Sequence, residues 1–224
     1  MDRIFVYCNK FTGKGLENWN VSNVKDMSHM FYYCENFDCD LSNWDVSNVT
    51  DMKGMFTWCD KFTGKGLENW DVSKVKNMLC MFNRCDLFKG KGLENWNVSN
   101  VKDTSYMFLK CENLNCDLSG WNVSKVENMS SMFYGCKNFN CDLSKWDVSN
   151  VENMSNMFQR CKNFEGNGLE NWNVSNVKDM HYMFFECTNF NCDLSKWDVS
   201  NIKDKRSMFY GCKKLKKIPS WYKG

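Results

Sequence analysis

The sequence has little net charge, no long apolar run and only two histidines. Its 29 Lys and Arg residues nearly balance 27 Asp and Glu residues, which leaves a formal net charge of +2. We therefore expect no whole-chain attraction to nucleic acid or to an anionic membrane. No apolar segment approaches the roughly 18 residues that a transmembrane helix requires, so no membrane insertion is expected.

A secretion signal is also missing from the first ten residues, MDRIFVYCNK, which contain no apolar core of signal-peptide length. This absence predicts a cytoplasmic protein, or a cell-surface or virion protein if export or assembly follows another route. Alanine is absent, Pro219 is the sole proline, and 25 lysines outnumber four arginines. Such a bias is typical of AT-rich genomes and indicates nothing about mechanism.

What the sequence does contain is one unit in tandem copies. A tryptophan marks each copy, at steps of 25 or 26 residues and a last step of 24. These tryptophans are Trp19, Trp44, Trp70, Trp96, Trp121, Trp146, Trp172, Trp197 and Trp221. A cysteine follows each of the first eight after 15 residues, so length varies only between that cysteine and the next tryptophan. Four spacers have the form C-x4-C, and four, including the one between Cys8 and Trp19, are rich in glycine.

Within one unit, two periodicities predict two kinds of secondary structure. Residues Leu41–Val46 read L-x-x-W-x-V and end in alternation, which predicts a short strand. The apolar residues that follow recur at helical spacing, which predicts a helix of about three turns with Ser47 or Asn48 as its N-cap. These apolar residues are Val49, Met52, Met55, Phe56 and Cys59.

A single unit of this size cannot bury its apolar side, whereas stacked copies can. We therefore predict an α/β repeat solenoid with one short parallel strand and one short helix in each 25–26-residue rung. Each Trp is expected to lie over the previous Trp, and each Met-Phe pair over the previous pair. The expected divisions are a partial N-terminal rung at 1–18, an eight-repeat solenoid at 19–212 and a basic C-terminal half-rung cap at 213–224.

The repeated segments resemble a known family. L-x-x-W-x-V is similar to the strand half of a leucine-rich repeat, and MFYYC, MFTWC and MFYGC resemble the A-F-x-x-C segment of BspA-like leucine-rich repeats. The whole unit resembles the tandem repeat, about 26 residues long, of mycoplasma lipoproteins and Listeria-type surface proteins. This resemblance extends from Ile4 to Trp221. It implies a leucine-rich-repeat-like solenoid that binds other macromolecules, often at a cell surface.

The 14 cysteines allow three interpretations. Nine of them, including Cys8, share one register that is expected to face the core, which favours small buried hydrophobic side chains. The C-x4-C pairs would form disulfides in an oxidising compartment, but without a leader free thiols are favoured. Zinc is the weakest interpretation, because C-x2-C spacing is missing and only His29 and His181 are available. No metal and no cofactor are therefore predicted.

No catalytic constellation is evident in the sequence. His29 and His181 occupy variable positions without a recurring acidic or nucleophilic partner, so both are expected to face solvent. The GKG segments at 13–15 and 64–66 lack the Lys-Ser/Thr ending of a phosphate-binding loop and are expected to be spacer loops. The NVS acceptor pattern follows automatically from the repeat consensus. The sequence therefore predicts a protein that is not an enzyme.

Candidate binding residues lie where the repeats diverge. Ten and fourteen residues after each Trp the side chain changes from copy to copy, and the two positions lie one above the other on the expected helix. Aromatic residues, which are favoured at interface centres, occur at or beside these positions. The predicted partner-binding residues are Tyr33, Trp58, Tyr106, Tyr134, Tyr182, Phe185 and Tyr210.

Two functions remain open from the sequence. The first is a non-enzymatic scaffold that binds a protein partner of unknown identity along the solenoid surface. The second is a structural building block, in a shell, lattice or filament, that associates end to end with other copies. Neither function involves nucleic acid.

Overall fold

The computed structural model describes residues 1–223, in which successive repeats lie one on another as the rungs of a solenoid. Backbone hydrogen bonds join equivalent segments of neighbouring rungs. Met52 N–H donates to Asn77 O (3.1 Å), and Phe56 N–H donates to Met81 O (2.9 Å). The same pattern recurs from rung to rung, which confirms a repeat solenoid.

The predicted strand and helix of each rung are wrong. The helices within residues 1–223 are two 3-10 helices, Leu67–Asn69 and Leu169–Asn171, and no strand of two or more residues is present there. Seven isolated parallel bridges connect equivalent positions, from Asp26–Asp51 to Asp179–Asp204. Neither helix within the described residues is long and apolar enough to cross a membrane.

Overlapping turns replace the predicted helix. In residues 52–59, Met55 N–H bonds to Met52 O and Cys59 N–H bonds to Phe56 O, each closing a four-residue turn. Between them, Thr57 N–H bonds to Gly54 O of the same rung, whereas Phe56 and Trp58 donate to the next rung. None of these N–H groups bonds to the carbonyl four residues earlier, as an α-helix would require. Turns of this kind repeat the i, i+3 spacing of apolar residues, so the sequence pattern does not separate them from a helix.

Each of these turns places a residue in the left-handed region, and the stacked copies form two columns on the outer surface. The first left-handed column lies ten residues after each of the first eight repeat tryptophans and begins with Arg3. It contains Arg3, His29, Gly54, Cys80, Tyr106, Ser131, Asn156, Tyr182 and Ser207. The second left-handed column lies fourteen residues after the same tryptophans and begins with Tyr7. It contains Tyr7, Tyr33, Trp58, Arg84, Lys110, Gly135, Arg160, Glu186 and Gly211. The positions that the sequence marks as divergent are therefore the positions of positive φ.

The predicted N-cap residues have other partners. Ser47 N–H bonds to Asp45 Oδ1 in a local turn (3.0 Å), and Asn48 Nδ2 donates to Ser22 O of the preceding rung (2.9 Å). The equivalent asparagines repeat this bond, so the rungs are also joined by a side-chain ladder. Its other members are Asn100, Asn150, Asn176 and Asn201.

Aromatic columns fill the core. The Phe column contains Phe5, Phe31, Phe56, Phe82, Phe108, Phe133, Phe158, Phe184 and Phe209, with neighbouring ring centroids 5.6–5.8 Å apart. Eight tryptophans donate Nε1–H to a leucine carbonyl of the preceding rung, as in Trp121 to Leu93 O (2.8 Å). The prediction of continuous Phe stacking is confirmed.

Tryptophan stacking follows the rung length. Parallel indole pairs occur at the 26-residue steps, as between Trp44 and Trp70 with centroids 6.5 Å apart, and at the final step to Trp221. Among the described residues, the 25-residue steps carry no Trp–Trp stack. A C-x4-C spacer therefore keeps the indole hydrogen bond but offsets the ring.

A thiol column runs beside the Phe column. Cys59 Sγ donates to Phe31 O (3.1 Å), and Cys85 Sγ donates to Phe56 O (3.0 Å). The equivalent cysteines from Cys34 to Cys212 make the same bond. These cysteines are therefore small core side chains, as the sequence predicts, and each also donates to a backbone carbonyl.

The glycine-rich spacers turn at a very close backbone approach. Gly66 has a φ of 93°, and a Cβ at this position would lie 2.2 Å from Ser42 N of the preceding rung. Its N–H donates to the Glu68 carboxylate (3.1 Å), and Gly66 is the N-cap of the Leu67–Asn69 helix. The GKG segment is thus a spacer loop.

Candidate interaction face

The predicted binding residues lie on one side of the solenoid, in the two left-handed columns and in the column just before the second. The third column contains Val6, Tyr32, Thr57, Asn83, Leu109, Tyr134, Gln159, Phe185 and Tyr210. We call these three columns together the outer face. Contacts between them, such as Tyr32 with Tyr33 at a centroid distance of 4.8 Å, show that they are contiguous.

At one end of the outer face the aromatic side chains form a lateral stack. Tyr33 stacks on Trp58 with centroids 4.9 Å apart, and Tyr7 lies 5.1 Å from Tyr33. The Arg84 guanidinium carbon lies 4.0 Å from the Trp58 ring centroid, a cation–π contact. Because Tyr33 and Arg84 both pack on its ring, Trp58 offers a partner mainly its edge.

A second aromatic stack lies near the opposite end. Tyr182 meets Phe185 edge to face at 5.3 Å, and Phe185 stacks on Tyr210 at 4.9 Å. Tyr210 remains 66% exposed, so this stack presents more ring surface than the first. Its members come from two successive rungs.

Between the stacks the outer face is more polar. Tyr106 is 41% exposed and belongs to neither stack. The Tyr134 hydroxyl accepts a bond from Arg160 (3.3 Å), whose Nε also pairs with Glu186 at 2.8 Å. The seven predicted residues thus share one side of the solenoid but fall into two stacks and two separate tyrosines instead of one continuous patch.

Backbone strain marks both left-handed columns. Fifteen residues other than glycine hold φ between 52° and 63° there, including Tyr106 at 58° and Tyr182 at 56°. For an L-amino acid the left-handed region costs about 1–2 kcal/mol per residue. Gly54, Gly135 and Gly211 occupy three of these positions and avoid that cost.

A charged column next to the outer face was missed from the sequence. This column lies sixteen residues after each of the first eight repeat tryptophans and contains Glu35, Asp60, Asp86, Glu112, Lys137, Lys162, Thr188 and Lys213. Burial raises the pKa of Asp60, and repulsion from Asp86 and Glu35 raises it further; burial and then Glu112 do the same for Asp86. The repeats differ at this position as they do at the aromatic positions, so the sequence alone contains the signal for the column.

The two histidines are half-buried instead of facing solvent. His29 lies over Gly54, where an added Cβ would be 2.7 Å from its Cδ2. Burial, followed by the charges of Lys53 and Arg3, lowers the pKa of His29. A small residue in the neighbouring rung therefore admits this ring.

His181 belongs to a polar cluster with two carboxylates. Its Nδ1 lies 2.7 Å from Asp179 Oδ1, and its Nε2 lies 3.1 Å from Asn156 Nδ2. One ligand atom each of Asp179, His181 and Asp204 lies within 4.8 Å of the others, which is compatible with a cation. His181 already bonds to Asp179, its Nδ1 lies 4.0 Å from Asp204 Oδ2, and Arg206 Nε lies 3.3 Å from the same Oδ2. The cluster is thus a hydrogen-bonded network with its own positive charge.

The sequence matches one family along nearly its whole length. Three overlapping segments, 1–91, 58–165 and 141–223, match the family described as "Mycoplasma protein of unknown function, DUF285". The chain belongs to this family. No curated protein matches.

Among solved structures, the DUF285 chain is similar to a crystallised leucine-rich repeat protein from Eubacterium ventriosum. The two are 16% identical with a TM-score of 0.44. The match covers 90% of this chain but only 44% of the other, so the chain spans less than half the length of that protein.

Burial disfavours thiol chemistry at most cysteines of this DUF285 chain. All fourteen cysteines, including the C-x4-C pairs, are free. Burial raises the pKa of Cys34 and of Cys39 to about 11. These two thiols are therefore protonated near neutral pH, and a protonated thiol is a poor nucleophile and metal ligand.

Proposed function

We propose that this protein is a non-enzymatic scaffold that binds a macromolecular partner along the outer face. The observation that carries the proposal is the left-handed backbone beneath variable, partly exposed side chains. At such positions glycine would be the least strained residue, yet fifteen of them keep a side chain. Strain that persists at surface positions is characteristic of binding surfaces and other functional sites.

The side chains themselves suit recognition. Tyr106, Tyr182 and Tyr210 combine a large apolar area with a polar end and lose little side-chain entropy when they are fixed. They are spaced along a rigid array, so a partner would meet several of them at once. Such a surface recognises shape and aromatic contact.

A non-enzymatic role is consistent with the chemistry of the described residues. Nine of the fourteen thiols are buried, and the His181 ring nitrogens are occupied by Asp179 and Asn156. An active site would need a nucleophile or base that is free to meet a substrate.

Removing the aromatic side chains without disturbing the backbone tests the proposal. The variant Tyr106→Gly/Tyr182→Gly deletes two exposed rings at positions where glycine is conformationally favoured, so folding stability is expected to be unchanged or slightly increased. Affinity for a partner that co-purifies from source cells, then measured by calorimetry with both proteins pure, is expected to fall at least about 10-fold.

The matched control is Ser131→Gly/Ser207→Gly. It makes the same backbone change in the same column but removes only two hydroxymethyl groups. The control is expected to retain the partner. Equal binding by wild type and by both variants would contradict the proposal.

A self-associating building block is the second candidate, and the repetition of rung contacts favours it. Every rung offers each of its two sides the same set of donors and acceptors as the other rungs do, so any two rungs are complementary by translation. End-to-end association would reuse these bonds. Light scattering over a wide concentration range tests it, since a constant monomer mass would exclude it.

A further inference from the structure

The charged column is segregated by sign. Glu35, Asp60, Asp86 and Glu112 follow one another in adjacent rungs, and then Lys137, Lys162 and Lys213 follow with Thr188 among them. The sign changes once, between Glu112 and Lys137, which form an ion pair of 2.6 Å. Like charges on adjacent strands are destabilising. The segregation by sign therefore lowers the folding stability of a single molecule.

A second copy in reversed orientation would relieve that cost. A two-fold axis in the plane of the outer face, perpendicular to the solenoid and passing between the Glu112 and Lys137 rungs, sets the charged column against its own reverse. Glu112 then faces Lys137 of the second copy, and Asp86 faces its Lys162. Glu35 likewise faces Lys213 of the second copy, while Asp60 faces Thr188.

The third column of the outer face is compatible with the same axis. Leu109 lies opposite Tyr134 of the second copy, and Tyr32 lies opposite its Tyr210. Asn83 lies opposite Gln159, a pairing of two amides. Apolar side chains therefore meet apolar ones at the centre and at both ends.

One pair in the second left-handed column has like charge, because Arg84 lies opposite Arg160 of the second copy. Both guanidinium groups already have partners within their own chain. Arg84 packs on Trp58, and Arg160 pairs with Glu186. This pair weakens the interface without contradicting its register.

We infer that the outer face and its charged column form an antiparallel, two-fold homodimer interface in which the acidic half of each copy meets the basic half of the other. The inference rests on the proposed function, since it names a second copy of this chain as the occupant of the same face. Eight rungs at strand spacing span roughly 40 Å, and the columns span about 12 Å. The contact is therefore about 500 Å² per copy, at the low end for specific complexes, which predicts a weak, reversible dimer.

A charge-swap experiment tests the register. Variant A carries Lys137→Glu/Lys162→Glu, and variant B carries Asp86→Lys/Glu112→Lys. Each variant alone would oppose like charges at every altered position, whereas an A–B pair restores opposite charges at all of them. By analytical ultracentrifugation at low salt, self-association of A and of B is expected to weaken at least about 100-fold. A 1:1 mixture is expected to form a heterodimer with roughly the wild-type affinity.

The control is Lys102→Glu/Lys203→Glu, which reverses two lysines on another side of the rung. As with Lys137 and Lys162, one of the two is ion-paired, Lys102 with Glu127 at 3.0 Å. It is expected to dimerise as wild type does. Circular dichroism and thermal unfolding of all variants show whether each one is folded.

Several outcomes would overturn the inference. A wild-type chain that stays monomeric up to high micromolar concentration would do so, as would dimers that ignore both charge reversals or an A–B mixture without a heterodimer. If the chain is monomeric but loses a foreign partner in Tyr106→Gly/Tyr182→Gly, only the homodimer fails and the scaffold function survives. If that double variant also leaves partner binding unchanged, both proposals fail.

Discussion

The core columns and the left-handed columns of the same rungs follow opposite rules. In the Phe column the residue is the same in nine rungs and the centroid spacing varies only between 5.6 and 5.8 Å. In the left-handed columns the residue changes at almost every step, yet φ of the non-glycine residues stays between 52° and 63°. The repeated core and the rung-to-rung bonds therefore determine the backbone geometry. The outer side chains vary without changing that geometry.

The largest effect should come from breaking a core column. Trp121→Ala removes a side chain that is 2% exposed together with its bond to Leu93 O. We expect the free energy of unfolding to fall by about 3–5 kcal/mol, measured by urea denaturation. Lys145→Ala, at an exposed position on the neighbouring rung, should change it by less than about 0.5 kcal/mol. Similar losses for both would contradict the assignment of Trp121 to the core.

Substitutions at two glycines distinguish the cost of backbone strain from the cost of a steric clash between rungs. Gly66→Ala and Gly135→Ala both place a Cβ at positive φ, but the nearest atom would lie 2.2 Å away at Gly66, a backbone nitrogen, and 3.4 Å away at Gly135, a flexible Lys110 carbon. Gly135→Ala is expected to cost about 1 kcal/mol from backbone strain alone. Gly66→Ala should cost more, since two rungs must separate. Thermal unfolding measures both, and equal losses would show that close rung contact is unimportant there.

The thiol column should make the fold sensitive to alkaline pH. Because burial raises the pKa of the folded thiols, as for Cys212 to about 12, they stay protonated when the unfolded chain ionises. Their stabilising effect is complete below about pH 8.5 and declines as the pH rises toward the folded pKa. Urea unfolding of the reduced protein between about pH 8 and 10.5 should show this decline.

A single substitution assigns that decline to the thiols. Cys136→Ser keeps a donor for Phe108 O but removes one ionisable group. It should reduce the negative slope of unfolding free energy against pH by up to about 1.4 kcal/mol per unit. The two proteins differ in no other ionisable group, so an unchanged slope would mean that Cys136 does not contribute.

The sequence predicts the core of this protein far better than its backbone. Recurrence identifies Trp121 and Cys59 as core residues, because a buried column tolerates little change. Helix and strand were wrong, because the spacing of Met52, Met55 and Phe56 is common to a helix and to consecutive turns. The choice between them depends on where the N–H groups bond, and those partners lie 25 or so residues away in the next rung.

The candidate site was predicted in part for a related reason. Divergence between repeats led to Tyr106 and Tyr182, and both lie on the outer face. It did not indicate that Trp58 would be covered by Tyr33 and Arg84, since that stacking needs the lateral distance between rungs. The charged column can be found by aligning the repeats alone. The structure adds that Asp60 and Asp86 lie next to each other in adjacent rungs, where like charges repel.

The rung-to-rung bonding pattern has a consequence for how this molecule can change over time. Each rung meets its neighbours through the same kinds of backbone bond and through the Phe column, so a whole copy of the unit can be gained or lost without these contacts being redesigned. Length is then adjustable in steps of roughly 5 Å. The length of the solenoid can therefore change in evolution through the number of copies, whereas the side chains of the outer face change one residue at a time.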